Sequence, residues 1–492
     1  MRVAGSHVPS GAWRIVVFGL SVSVMHRLQP RFIVTALSLK AMLNITRTLA
    51  SVAAILLSIH AAAAQSILRD AETEALFRDM ATPLVKAAGL DPRNVDVVLI
   101  NDSSINAFVI PGQAVYLHSG LINSADTANQ VQGVIAHELG HITGGHAITG
   151  EQGAKAANSI SLLSLLLGVA AAAAGGGDAA MGILMAGQQA AMGKYLAFSR
   201  AQESQADAAG ALYLAKAGIT GRGSVEFFKK LANLSYRAGY SQADMDTFMS
   251  THPLEGDRIS TLQDTYEKDP AWKVPSDPAL EARFRRAKAK LFGYLAEPRH
   301  TLQVYPVTDT SVPGRYARAY AWHKEAFLDK AMAEADSLLR DAPQDPYFLE
   351  LKGQILLESG KPVDALIPLR LATDLTANQP LIATTFGHAL VATEDPANLA
   401  EAQRVLKAAV ARDRENPDAW YQLGVVYAAN GDMPRAQLAS AEQQVMTGRF
   451  IDALRNAEAA EASLPKATPD WLRAQDIAFQ ARGAIEQQRK RR

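Results

Sequence analysis

The chain has 492 residues, with 49 Lys plus Arg against 49 Asp plus Glu, and no cysteine. Zero net charge gives no electrostatic footprint for nucleic acid, and the lack of thiols excludes thiol catalysis, disulfides and thiolate metal ligands. With 48% hydrophobic residues, a chain of this length is expected to bury two or three globular cores.

The N-terminus reads in two pieces. Residues 1–41 hold scattered arginines and an apolar run from Trp13 to Met25, broken by Arg14. Residues 42–64 have the parts of a secretory signal peptide. Met42 can serve as start, Arg47 lies in the n-region, Leu49 to Ile59 form the h-region, and Ala61 to Ala64 offer a cleavage site before Gln65. Translation from Met42 makes residues 1–41 an N-terminal extension of the reading frame. The h-region is short for a membrane span, so cleavage and export to the periplasm, or secretion, are expected.

Residues 66–90 show helical spacing of Leu68, Ala71, Leu76, Met80, Leu84 and Val85, with Pro83 as a kink and Gly89 and Pro92 as stops. Val95 to Ile100 reads as a strand. Two further β-rich runs, Phe108 to Ile110 and Val115 to Leu117, flank Pro111-Gly112-Gln113, a hairpin signal. The edge of such a strand can hold an extended peptide by main-chain hydrogen bonds.

Val134 to His141 contains His-Glu-Leu-Gly-His, an H-E-x-x-H motif. Ser124 to Asp126 offer caps, and Ala128, Val131, Val134, Ile135 and Leu139 give an apolar stripe of helical period. In a helix, His137 and His141 project from one face at i and i+4. Both ring nitrogens can then reach one tetrahedral Zn2+ at about 2.0–2.1 Å. Glu138 can act as general base toward a water at that metal.

A catalytic zinc site keeps three protein ligands and one open position. His146 falls one residue short of the third ligand in H-E-x-x-H-x-x-G-x-x-H, where Ala147 stands. Glu203 is the better candidate. It lies in Ser199-Arg200-Ala201-Gln202-Glu203-Ser204-Gln205-Ala206-Asp207, with Asp207 on the same helical face, where it can accept the distal N–H of a ligating histidine. His252 precedes Pro253 and is biased away from helix. It could stabilise an oxyanion or occupy the fourth metal position and hold the site latent.

Between these motifs, residues 159–192 are nearly all apolar around Gly175-Gly176-Gly177-Asp178. Each half is shorter than a membrane span. A buried helical hairpin, a peripheral contact with a bilayer and a mobile lid all fit. Residues 266–313 read as a linker with one basic helix, Glu281 to Leu295, among several prolines. From about Arg315 the chain becomes Ala- and Leu-rich. Gly353, Gly387 and Gly424 recur at 34 to 37 residues, Ala331 and Ala365 hold the small positions, and Pro346, Pro380 and Pro417 mark junctions. Trp420-x-x-Leu423-Gly424-x-x-Tyr427 with Ala436 is similar to the tetratricopeptide signature. Such repeats stack into superhelices that bind protein.

His-Glu-Leu-Gly-His followed by Ser-Arg-x-x-Glu-x-x-Ala-Asp resembles the metallopeptidase family that includes CAAX prenyl endopeptidase and the HtpX membrane proteases. Ile105-Asn106-Ala107-Phe108 with Pro111-Gly112, and Thr251-His252-Pro253 with Arg258-Ile259, are similar to that family as well. The resemblance covers about residues 66–265. It implies one zinc on His137, His141 and Glu203, gluzincin fashion, with Glu138 as base. It also implies that Asn106, Ala107 and Phe108 form the substrate edge and that Arg258 lies at the cleft to assist the transition state.

The expected fold is an α+β zincin-like metallopeptidase domain over 66–265, the linker over 266–313, and an all-α tetratricopeptide-repeat superhelix over 314–492. With an export signal, this layout resembles the periplasmic beta-barrel assembly-enhancing proteases. That implies an endopeptidase for misfolded or stalled outer-membrane proteins, with the repeats docking the assembly machinery. The rival readings are a non-catalytic chaperone or adaptor with a structural zinc closed by four ligands, and a metallohydrolase acting on a non-peptide bond.

Overall fold

A computed structural model describes residues 14–16, 66–173, 177–236, 252 and 256–490. The signal expected at 42–64, nearly all of 1–41, and Thr251 and Pro253 lie outside the described residues. The chain divides into two compact units, essentially Ile67–Asp432 and Met433–Arg492.

The first unit opens on a sheet. Strands β1 (Arg14–Val16) and β2 (Ser66–Arg69) precede helix α1 (Ala71–Ala87), and β3 (Asp96–Asn101), β4 (Ala107–Val109) and β5 (Ala114–His118) follow it. The order is β1-β2-β3-β5-β4. Ser66 to Arg69 are thus strand rather than the first helical turn. The reason is Asp70, whose carboxylate accepts the Thr73 N–H at 2.9 Å and starts the helix behind it. β3 and β5 run parallel, while β4 and β5 run antiparallel with Phe108 opposite Tyr116. The chain reverses at the expected turn, where Gly112 takes φ +137°, a conformation side chains disfavour. β4 is left as an edge strand.

Short α2 (Ser119–Ser124) leads into α3 (Ala128–Thr143), which carries the H-E-x-x-H motif. Its cap is Thr127, one residue beyond the expected Ser124–Asp126. The Thr127 Oγ1 accepts the Gln130 N–H at 3.2 Å. Asp126 is instead engaged by Lys230, and the Glu281 carboxylate accepts the Ala128 and Asn129 N–H groups at 2.8 and 3.2 Å. A carboxylate at a helix N-terminus satisfies orphan donors and meets the positive end of the dipole.

Two long helices, α4 (His146–Ala173) and α5 (Gly177–Ala217), pack as a hairpin. Three pairs hold one antiparallel register along it. His146 meets Gln205, Thr149 meets Gln202, and Ser164 stands where any Cβ on Gly187 would collide with it. The hairpin is not buried in the protein, for most of its described leucines and methionines are exposed.

Helices α6 (Arg222–Tyr236), α7 (Gly256–Glu267), α8 (Pro278–Leu295) and α9 (Pro298–Val304) follow. The segment read as connecting matter contributes to the core: Phe284, Ala287 and Leu291 of α8 share one hydrophobic cluster with Leu76, Val131 and Phe227. Lys290 on α8 is fully buried and pairs with Asp70 and Glu72. Burying these charges is tolerable because each is paired and hydrogen-bonded.

The repeats begin with α10 (Val312–Lys324) and α11 (Leu328–Asp341) and continue through α12 (Pro346–Glu358), α13 (Pro362–Leu375), α14 (Pro380–Ala392), α15 (Leu399–Arg412) and α16 (Pro417–Ala429). This is a helical, tetratricopeptide-like region. Pro346, Pro380 and Pro417 each take the first helical position behind a capping Asp345, Gln379 or Asn416, where a missing N–H costs nothing. A Cβ on Gly353 would lie 2.4 Å from Leu369, and one on Gly387 2.5 Å from Leu406, which explains the recurring glycines. The Lys290 network ties the repeats to the front of the unit. The Tyr316 hydroxyl donates to Glu72 at 2.9 Å, and Arg286 bridges Glu72 to Asp345.

The second unit holds α17 (Met433–Met446), α18 (Phe450–Ser463) and α19 (Pro469–Lys490). Leu438, Ala457 and Ile477 centre its own core. No described helix is long and apolar enough to cross a membrane.

Candidate metal centre

The site is built where α3 crosses α5. A Cβ on Gly140 would lie 2.6 Å from the Ala206 carbonyl oxygen, and one on Gly210 3.1 Å from that of Ala136. These two glycines let the backbones approach closely, which brings the His137 and His141 face of α3 onto the Glu203 and Asp207 face of α5. The Gly of His-Glu-Leu-Gly-His is therefore a crossing residue, a role the motif's spacing alone did not disclose.

Four side chains converge. His141 Nε2 lies 3.1 Å from His137 Nε2, and His137 Nε2 lies 3.3 Å from His252 Nδ1. The Glu203 carboxylate stands 3.3 Å from His137 Nε2, 3.4 Å from His141 Nε2 and 3.1 Å from His252 Nδ1. All four residues are buried. Atoms at 2.0–2.1 Å from a tetrahedral ion stand about 3.3 Å from one another, so the spacing is that of a coordination shell.

The protons support the same conclusion. His137 Nδ1 faces Asp207 Oδ1 at 2.9 Å and is its natural donor, which leaves Nε2 as a bare lone pair. His252 Nε2 donates to the Ala107 carbonyl at 3.2 Å, leaving Nδ1 bare. These tautomers follow from the hydrogen-bond partners. Lone pairs and a carboxylate held this close favour a cation between them. His137, His141, Glu203 and His252 could hold a metal ion.

Electrostatics agree with this. Burial opposes a charge on His137, but Asp207 and Glu203 outweigh it and push its pKa up to about 10. Burial would raise Glu203 too, yet the imidazoles of His137, His141 and His252 packed against it hold its carboxyl far below the ordinary range. The cluster attracts positive charge, and without a metal a proton takes its place.

Glu138 is fully buried, and neither carboxylate oxygen has a hydrogen-bond partner among the described residues. One of them lies 3.5 Å from His252 Nε2. A buried carboxylate left unmatched is costly and fits a site that is completed by a proton donor.

His146 has a part that the sequence did not suggest. It is no metal ligand; its Nδ1 lies 3.0 Å from His141 Nδ1 and its Nε2 3.1 Å from Gln205 Oε1. It orients His141 as Asp207 orients His137. Its spacing from His141 placed it within reach, but only the α4–α5 hairpin shows where it turns.

Arg258, expected at the cleft, reaches Asp207 and the cluster's Glu203. Its Nε and Nη2 donate to Asp207 at 2.7 and 2.9 Å, and its Nη1 lies 3.0 Å from Glu203. Through these contacts Arg258 braces both carboxylates.

The expected substrate edge lies beside the cluster. Pairing with β5 leaves both main-chain polar groups of Ala107 on the outer side of β4. The N–H donates to its neighbour's side chain, Asn106 Oδ1, at 3.0 Å, and the carbonyl accepts from His252. Phe108 lines a cleft of about 240 Å³ together with Glu138, His141, Phe198 and His252.

Residues 68–266 match the sequence profile of peptidase family M48. The chain is 27% identical over 368 residues to the beta-barrel assembly-enhancing protease of Escherichia coli strain K12, covering 72% of each. It is 32% identical over 181 residues to the metalloprotease LoiP of the same organism, covering 36% of this chain and 64% of that one. A solved structure of YrrB, a TPR protein with an unusual peptide-binding site, aligns with 36% of this chain and 92% of its own at 21% identity and a TM-score of 0.29.

Proposed function

We propose, on the premise that residues 68–266 are a domain of peptidase family M48, that this chain is an exported zinc endopeptidase that works on misfolded or stalled outer-membrane proteins in the periplasm. One observation carries the catalytic part: four electron-pair donors at coordination spacing beside a buried Glu138 with no hydrogen-bond partner among the described residues.

In this reading His137, His141 and Glu203 hold one zinc, and Asp207, His146 and Arg258 fix their orientation. The zinc would supply Lewis acidity toward the scissile carbonyl and acidity to a water. Glu138 accepts the proton from that water and returns it to the leaving amine. The edge of β4 binds the substrate backbone at Ala107, with Asn106 and Phe108 on either side. His252 closes both the fourth position and the Ala107 carbonyl, so it holds the enzyme latent until it is displaced. The relatives' names support the substrate class, and the repeats would dock partner proteins such as the assembly machinery.

The alternative is a chaperone or adaptor with a structural zinc. The fourth donor on His252 favours it, since structural sites are closed by four protein ligands. Glu138 speaks against it, because a structural site has no use for an unmatched buried carboxylate. Hydrolysis of an unfolded outer-membrane protein by the wild type, with its zinc content measured, tests the proposal. Full zinc and no cleavage, even for His252→Ala, would move the reading to the adaptor.

A further inference from the structure

The α4–α5 hairpin presents an apolar surface that no described element covers. Between Lys155 and Lys194 the sequence holds a single charge, Asp178. Leu162, Leu163, Leu165, Leu166 and Leu167 are each 50–61% exposed, and Met181, Met185 and Met192 are 58–67% exposed. The leucines lie on every side of α4 except the one where Ser164 meets Gly187. A helix that docks into a protein groove is apolar along one stripe. One that is apolar all round is matched to surroundings that are apolar on all sides.

We propose that this hairpin inserts into a lipid bilayer. Its charge pattern supports lipid over a protein partner. The register set by His146–Gln205, Thr149–Gln202 and Ser164–Gly187 puts Lys155 and Lys194 at nearly one level on the two helices. Both lysines are exposed. A basic collar below a segment whose single charge is Asp178 is the arrangement that places ammonium groups among anionic headgroups while the apolar part enters hydrocarbon. Ile160 to Ala173 rises roughly 21 Å at 1.5 Å per residue. That exceeds one leaflet but falls short of the hydrocarbon core of about 30 Å, so the hairpin enters without crossing.

The insertion sets where the metal centre sits. α5 runs unbroken from Gly177 to Ala217, and Glu203 lies roughly 14 Å along its axis from Lys194. Phe198, between them, lines the cleft. Resting on the peptidase reading above, the insertion narrows the substrate to polypeptide segments lying at the bilayer surface.

The test is flotation of the full chain with vesicles of phosphatidylethanolamine and phosphatidylglycerol. It is compared with a Leu163→Gln/Leu166→Gln variant that carries the same leader, so the difference reads the hairpin alone. Wild type is expected to float, and the variant to partition at least about tenfold less, with unchanged metal content and unchanged cleavage of a soluble unfolded protein. Lys194→Glu should weaken flotation on these vesicles and not on phosphatidylcholine. Equal flotation of wild type and the double variant overturns the proposal. So does wild type that stays at the bottom of the gradient, or a wild-type dimer that becomes monomeric in the double variant, which would mark an interface between copies. Soluble-substrate cleavage reports on the peptidase reading separately, so the two can fail independently.

Discussion

His252 Nε2 donates to the main-chain carbonyl of Ala107 at 3.2 Å, while the opposite nitrogen of the same ring completes the donor cluster around His137 and Glu203. One imidazole therefore stands both where a reacting carbonyl would meet the metal and where a substrate N–H would meet the edge strand. His252→Ala is expected to raise hydrolysis of an unfolded protein severalfold and leave the metal content near one per chain. Zinc lost in step with activity would make His252 a required ligand and end the latency account.

His146 touches the donor cluster through His141. Replacing it by alanine removes the partner of His141 Nδ1 and lets the ring rotate. The expected cost is about 10–100-fold in metal affinity, read by chelator competition, with thermal stability nearly unchanged. His146→Gln, which keeps an acceptor in reach, should recover part of the loss. Unaltered affinity in His146→Ala would show that the contact orients nothing.

Gly140→Ala places a methyl group 2.6 Å from the Ala206 carbonyl oxygen. Neither backbone can yield without separating α3 from α5. Overpacking of this kind costs about 1–3 kcal/mol, so both the unfolding midpoint and the metal occupancy should fall. A variant with wild-type occupancy would mean that the crossing has slack.

The members of the cluster were legible in the sequence because their geometry is local: His137 and His141 share a helix face, as do Glu203 and Asp207. The edge strand was legible from Pro111-Gly112 between two β-rich runs, and the repeats from their period. Other features depend on what distant segments do. Arg258 is drawn to Asp207 and Glu203 because the two carboxylates stand side by side, and no spacing announces that. Thr127, rather than Ser124–Asp126, caps α3 because Lys230 engages Asp126 and Glu281 arrives from α8. The segment around Phe284 read as linker because its prolines and basic residues outweighed its few core positions.

Lys290 is the buried joint between α1, α8 and the first repeats. Lys290→Met would leave Asp70 and Glu72 without their ammonium partner. Removing one member of a buried pair typically costs about 3–5 kcal/mol, and denaturant titration should show a loss of that order. Lys290→Met combined with Asp70→Asn should recover part of it. A neutral Lys290→Met would contradict the view that this network holds the repeats to the front of the unit.

Whether Glu138 carries the proton of a metal-dependent hydrolysis is read by one paired measurement: zinc content and cleavage of an unfolded protein for wild type and Glu138→Gln. About one zinc is expected in each, with cleavage lowered by roughly 10²–10⁴-fold in the variant. Equal cleavage by both proteins, or cleavage that survives complete removal of the metal from wild type, would contradict it.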